Sequence, residues 1–347
     1  MKIDKKILDS IVRCYCVGNL TIDNELFIFM ASEEVGGPCY AYHGPDFEKK
    51  EAVWEQGGGT MSIIEIPDTN GEFLAVQNFF PGFKSEKAKI VWCRRDPEKG
   101  WIIHDVLNLP YVHRFDIIKS GSTKWFIGAT LCTSKRDRED WSDPGKVYVG
   151  ILPDDLSQGV KVWPIMDNLL KNHGYCRGTY EGKDACYITC ESGIYAFIPP
   201  ADTNGDWSIH HILERPISDV AVFDIDGCGT DELITIEPFH GNRFIINKKY
   251  GNEYREVYSY PNEINFAHAV WAGLIRGVPA VIGGIRRMNC ELFMVQCSDA
   301  EKQIYNTTII EEGVGPSNVA VINQADRDII LSANHTKNEA AIYMVTD

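Results

Sequence analysis

Short runs of apolar or alternating residues recur along the chain, separated by turns rich in Gly, Asn, Asp and Pro. The stretch 217–248 shows the unit most clearly. Residues 218–223 alternate as a strand, DIDGCGTDE turns, 233–236 form a second strand, EPFHGN turns, and 243–247 form a third. Residues 254–258 add a fourth strand and complete an antiparallel meander. The same grammar returns about 50 residues later from His268, and again from Asn318, where three strands remain before the chain ends. That period is the spacing of four-stranded propeller blades rather than of helical repeats.

Carried back through the chain, the period uses all of it. The prediction is all-β: one domain over 1–347, a single seven-bladed β-propeller of four-stranded antiparallel blades. The first ten or so residues supply the strand missing from the last blade and close the ring. Helix is expected nowhere except as one turn at DNLLK, 167–171.

Composition narrows the function classes. Acidic residues outnumber basic ones by 49 to 34, a net charge of −15, which argues against nonspecific binding to nucleic acid or to anionic membrane. No apolar run approaches the ~20 residues that span a bilayer, and the N-terminus lacks the apolar core of a secretory signal. The eleven cysteines are scattered with no C-x-x-C pair, so free thiols in a cytoplasmic protein are expected. The one glycine run, 57–59, enters a strand rather than a helix and fails the dinucleotide-binding context.

In a propeller, the loop entering each innermost strand and the loop between second and third strands share one face. Reading only those loops gathers five of the nine histidines: His113, His173, His240, His268 and His335. By repeat phase, His113, His173 and His268 occupy equivalent first positions of innermost strands. Three neutral imidazoles aimed at one axis would hold a divalent metal, zinc or, failing it, manganese or nickel, with a coordination position left for water or substrate. His240, Tyr175, Glu237 and Lys135 are candidate proton-transfer groups on the same face. Arg114, Arg286, Arg287, Asn318 and Trp141 are candidate substrate contacts. Blander roles stand beside each: Glu237 as a turn cap before Pro238, Arg286 and Arg287 as a solvated pair, and Trp141 as packing for a neighbouring blade. The long loop 132–145 has the length of a lid.

The DIDGCGTDE turn places Asp224, Asp226 and Glu232 at positions of a calcium-loop pattern, with Cys228 where a further carboxylate is usual. A purely structural turn is the preferred reading, and bound calcium or magnesium the lesser one.

The segments PYVHRFD, SKRDREDWSDPGKVYVGILP, KNHGY, IEPFHGN, NFAHAVWAG and GPSNVAV together resemble the β-propeller of the aldos-2-ulose dehydratases, also called 1,5-anhydro-D-fructose dehydratases, and their uncharacterised bacterial relatives. The resemblance runs from about residue 50 to the end of the chain. It implies a zinc ion and elimination of water from a small keto sugar, without the isomerisation that the family's additional cupin domains perform. A metal-assisted carbon–oxygen lyase is therefore the expected function, acting on 1,5-anhydrofructose or a 3-keto-glycoside. A noncatalytic propeller binding a glycan or protein, and a polysaccharide lyase acting on uronates, are the alternatives.

Overall fold

The computed structural model describes all residues, Met1–Asp347. Its strands form seven four-stranded sheets, each a meander of neighbours in sequence except the last. These sheets are the blades of a seven-bladed β-propeller. In the last sheet Lys2–Ser10 pairs antiparallel with Glu339–Thr346, from Lys2 opposite Thr346 to Ser10 opposite Glu339. The N-terminal segment is thus the outer strand of the blade that the C-terminus builds, and Lys5 fastens it through ion pairs to Glu311 and Glu339.

By contact density the chain divides into two compact units. One comprises Met1–Cys14, Gly174–Ala196 and His211–Asp347, and the other Tyr15–His173 and Phe197–His210. Within the first unit, Ile234, Ile236 and Phe244 of one sheet pack with Val281, Phe293 and Val295 of the next. Because both faces of a second strand are covered in this way, Glu232–Glu237 and Asp328–Asn334 are buried at every position. Such strands read as continuous apolar runs, whereas exposed last strands such as Ile304–Glu311 keep partial alternation.

One local expectation changes. Residues 167–169 of DNLLK lie in the strand Trp163–Leu169, opposite Gly145–Ile151. The short 3-10 turn falls instead at Leu156–Gln158, where the Asp155 carboxylate accepts from the backbone N–H of Ser157. The glycine run leads toward the strand Ile63–Glu65, with Gly58 in an isolated bridge to Val35; Gly58 and Gly59 have φ of 66° and 60°, and a Cβ on Gly58 would meet the Glu34 carbonyl oxygen at 1.9 Å.

Candidate functional site

His113 and His268 sit where innermost strands begin, each at a β-bulge. In Val112–Ser120, Val112 pairs with Thr130 and Arg114 with Ala129, leaving His113 as the extra residue. In Asn265–Ile275, Ala267 pairs with Ile285 and Ala269 with Gly284, leaving His268 in the same role. Ser317 is the bulge residue of Pro316–Asn323.

These bulge side chains tie one blade to the next. Ser62 Oγ donates to the His113 carbonyl at 3.3 Å, and the His113 ring meets the His173 carbonyl through Nδ1 at 3.1 Å. His268 Nδ1 donates to the Ser317 carbonyl at 2.7 Å, and Ser317 Oγ donates to the Cys14 carbonyl at 2.9 Å. Repetition at equivalent positions therefore has a structural use in its own right. It also fixes tautomers: Nδ1–H of His268 is committed to a carbonyl, so Nε2 carries the lone pair.

His113 differs in its second nitrogen, which lies 3.2 Å from the Tyr15 hydroxyl, so both ring nitrogens have protein partners. It packs against His173 at 4.3 Å and edge-on to Phe79 at 4.9 Å. His240, by contrast, belongs with His268. Their rings stack at 5.3 Å, and Phe266 lies 4.4 Å from His240 and 5.7 Å from His268. His240 has a left-handed backbone, φ 47°, and its N–H donates to Ser218 Oγ at 3.0 Å.

One ring nitrogen from each of His173, His240 and His268 lies within 4.8 Å of the others, a possible three-histidine metal site. His173 and His268 are buried and His240 is half-buried. The donor set fits a first-row divalent ion, since imidazoles with a fixed tautomer and a desolvated setting are what such ions bind. The expected ligand trio contained His113 in place of His240.

The other expected residues are placed as follows. Glu237 is buried, and its carboxylate accepts from Arg215 Nε and Nη2, both at 2.9 Å, and from the Thr235 hydroxyl at 2.6 Å. That fork leaves it an ion-pair anchor of its own blade. Tyr175 is half-buried, and its hydroxyl donates to Cys186 Sγ at 3.1 Å. Arg114 Nη1 donates to the Met61 carbonyl at 2.7 Å. Asn318 is half-buried opposite Ala333.

The loop 132–145 is braced from within. The Asp140 carboxylate accepts from Arg136 Nε at 2.7 Å and from the Ser142 hydroxyl at 2.6 Å, which holds it below the usual carboxylate range. Lys135 Nζ donates to the Asp140 carbonyl at 2.6 Å and lies 3.3 Å from the Trp141 ring centroid. Burial there pulls its ammonium below the ordinary lysine value. Trp141 also meets Phe83 edge-on at 5.5 Å, and Phe83 belongs to the loop between Phe73–Gln77 and Lys89–Asp96, so this aromatic packs against the neighbouring blade.

The calcium-loop pattern is satisfied by protein groups. Asp224 Oδ1 and Oδ2 accept from the N–H groups of Cys228 and Gly229, at 3.0 and 2.8 Å. The Lys248 ammonium pairs with Asp226 and stands 3.9 Å from Glu232, which accepts from the Ile225 N–H at 2.8 Å. An internal cation thus meets Asp226 and approaches Glu232, while ligand atoms of Asp224, Asp226 and Cys228 lie within 4.8 Å of one another and could hold a metal ion. Glu232 is fully buried, and that burial pushes its carboxyl up to about 7. All eleven cysteines are free, and burial raises the Cys16 and Cys132 thiols to about 12, so neither is poised as a thiolate.

Two of the expected substrate contacts, Arg286 and Arg287, gather with Phe266 beside His240 and His268. Arg286 and Arg287 place their guanidinium carbons 4.9 and 4.8 Å from the Phe266 ring centroid, and Arg286 Nη2 donates to the His335 ring at 2.8 Å. Arg13 and Asn338 join them around one pocket. Arg286, Arg287 and His335 were expected on this face, whereas Arg13, Phe266 and Asn338 were not singled out in the sequence.

Fold and site together define a seven-bladed propeller in which buried His173 and His268, at the starts of innermost strands, meet half-buried His240 from a turn between second and third strands. No family model matches the chain, and no curated protein matches it. Among solved structures it is similar to a candidate 6-phosphogluconolactonase from Bacteroides fragilis, at 13% identity and a TM-score of 0.56, over 89% of this chain and 88% of that one. A second such candidate, from Bacteroides uniformis, matches at 11% identity, TM-score 0.56 and the same coverage of 89% and 88%. The soluble aldose sugar dehydrogenase of Escherichia coli matches at 12% identity and a TM-score of 0.50, over 99% of both chains. At these identities the likeness is one of fold. No helix of the chain is long and apolar enough to cross a membrane.

Proposed function

We propose that this protein is a metal-assisted carbon–oxygen lyase that eliminates water, or another β-substituent, from a small keto sugar. The observation that carries the reading is the approach of His173, His240 and His268 nitrogens to within 4.8 Å of one another. Its support is threefold: the donor set suits zinc or a first-row neighbour, the sequence resembles a keto-sugar dehydratase propeller, and solved propellers of similar fold include an aldose sugar dehydrogenase.

A divalent ion bound there supplies Lewis acidity toward a carbonyl oxygen. The chain's own residues do the rest. The reaction removes a proton from the carbon beside the ketone, forms the carbon–carbon double bond, and expels the β-hydroxyl, which leaves with a proton as water. Buried imidazoles exclude bulk water from the carbonyl and keep their nitrogens aimed without reorganisation. His268 is held in one tautomer by the Ser317 carbonyl. His240, half-buried and the most accessible of the three, is the residue whose role as ligand or as proton-transfer group the variants separate. Glu237 and Lys135 are assigned to structure rather than to proton transfer.

The test is metal analysis of the purified protein before and after chelation, paired with ultraviolet detection of an enone from 1,5-anhydrofructose and 3-keto-glucosides. About one equivalent of metal, with enone formation lost on chelation and in His268→Ala, is the expected result. His240→Ala that keeps its metal but loses turnover assigns His240 to proton transfer, and loss of both assigns it as a ligand. Absence of both metal and enone removes the proposal.

A further inference from the structure

The guanidinium groups of Arg286 and Arg287 lie on Phe266 beside the His240–His268 pair, and a third arginine lines the same pocket. Arg13, Arg286 and Arg287, together with His335 and Phe266, line a pocket of about 380 Å³. No carboxylate lines it, although the chain carries 49 acidic residues against 34 basic ones. Like charges gathered in a concavity repel one another, and in a strongly acidic protein the arrangement is the reverse of the global field. The charge distribution is therefore selective for something negative.

The pocket is held rather than left to loosely solvated side chains. Arg286 and Arg287 both lie against Phe266, and Arg286 is anchored to His335. Arg13 and Phe266 take left-handed backbone conformations, φ 49° and 64°, a region that an arginine or aromatic residue seldom adopts. Phe266 is the common wall: one face of the arrangement is guanidinium, and the same ring packs 4.4 Å from His240 and 5.7 Å from His268. A single ring's width separates a cationic cluster from the imidazoles, a spacing that a monosaccharide spans.

We infer that this pocket binds the anionic group of the substrate, a carboxylate or a phosphate monoester, so that the lyase acts on a sugar acid or sugar phosphate. The inference rests on the proposed function for the identity of the reacting end. Arginine suits either group because its planar fork matches two oxygens at once.

The experiment is isothermal titration of the purified protein, as isolated and after chelation, with glucose 6-phosphate, glucuronate and uncharged glucose. At least one of the two anions is expected to bind while glucose does not, to weaken as salt is raised, and to survive chelation. Which of the two binds tighter identifies the phosphate or the carboxylate source. Arg287→Ala should weaken binding about tenfold or more, and Arg287→Lys should recover part of it, as a point charge without the fork. Equal affinity for glucose and both anions, or an unchanged affinity in Arg287→Ala, overturns the inference. So does equal kcat/KM for neutral and anionic keto sugars; that result, with turnover still abolished by chelation, leaves the lyase reading standing. Anion binding without bound metal or any turnover does the opposite: it keeps the pocket and removes the lyase.

Discussion

Glu237→Gln tests whether the carboxylate nearest the EPFHG loop is an anchor or a catalyst. In the folded protein Glu237 is buried and receives three hydrogen bonds, two from the Arg215 fork at 2.9 Å and one from Thr235 at 2.6 Å. Glutamine keeps the shape but turns one acceptor into an NH2 that faces a donor. Charged hydrogen bonds are worth about 1.5–3 kcal/mol, and breaking a fully buried pair costs about 3–5 kcal/mol. The Arg215 side chain remains 35% exposed, so water takes over part of its solvation and the smaller range applies. A loss of about 2 kcal/mol corresponds to a fall in melting temperature of roughly 4–8 °C for domains somewhat smaller than this chain, and less here. Differential scanning calorimetry reads the stability and enone formation reads the rate, each at a temperature where both proteins are folded. The anchor role predicts a destabilised variant whose kcat stays within about threefold. A kcat lowered by a factor of about 100 or more with an unchanged melting curve would refute the reasoning and return Glu237 to the proton-transfer candidates.

Three further outcomes follow from the same geometry. Burial holds the Glu232 carboxyl at about 7, above its ordinary value of 4.5, so the folded state keeps a proton that the unfolded chain has released. Stability should therefore fall as pH rises from about 4.5 to 7 and level off above, and Glu232→Gln should flatten that part of a melting-temperature profile by an amount on the order of 1–3 kcal/mol. His113→Ala loses contacts to the His173 carbonyl and the Tyr15 hydroxyl, and is expected to retain its metal while losing about 1–3 kcal/mol of stability, whereas His268→Ala loses the metal; elemental analysis and thermal melts together separate the two. Deleting residues 1–10 unpairs the edge of Glu339–Thr346, an apolar strand, and should yield a chain that self-associates in size-exclusion chromatography, where a stable monomer would contradict the closure.

The seven sheets and the closing N-terminal strand were legible in the sequence because strand patterning is local and a missing strand in a counted repeat has one free donor. The repeat phase also found that His113 and His268 are equivalent, and both prove to be bulge residues of innermost strands. What each imidazole does was not legible. His113 has the Tyr15 hydroxyl at its second nitrogen, while His240, reaching in from a turn, joins His173 and His268. Those partners come from residues dozens of positions away, and a bulge's aim depends on backbone dihedrals that hydrophobic periodicity does not encode. The same holds for Glu237, whose fork is formed by Arg215, and for Arg13, which meets Arg286 and Arg287 at one pocket only because the chain's first and last segments share a blade. Sequence alone determined which strands exist and in what order they are laid down. The tertiary structure decided which polar side chains meet, because hydrogen-bond and charge partners are set by the closure of the sheets and not by distance along the chain.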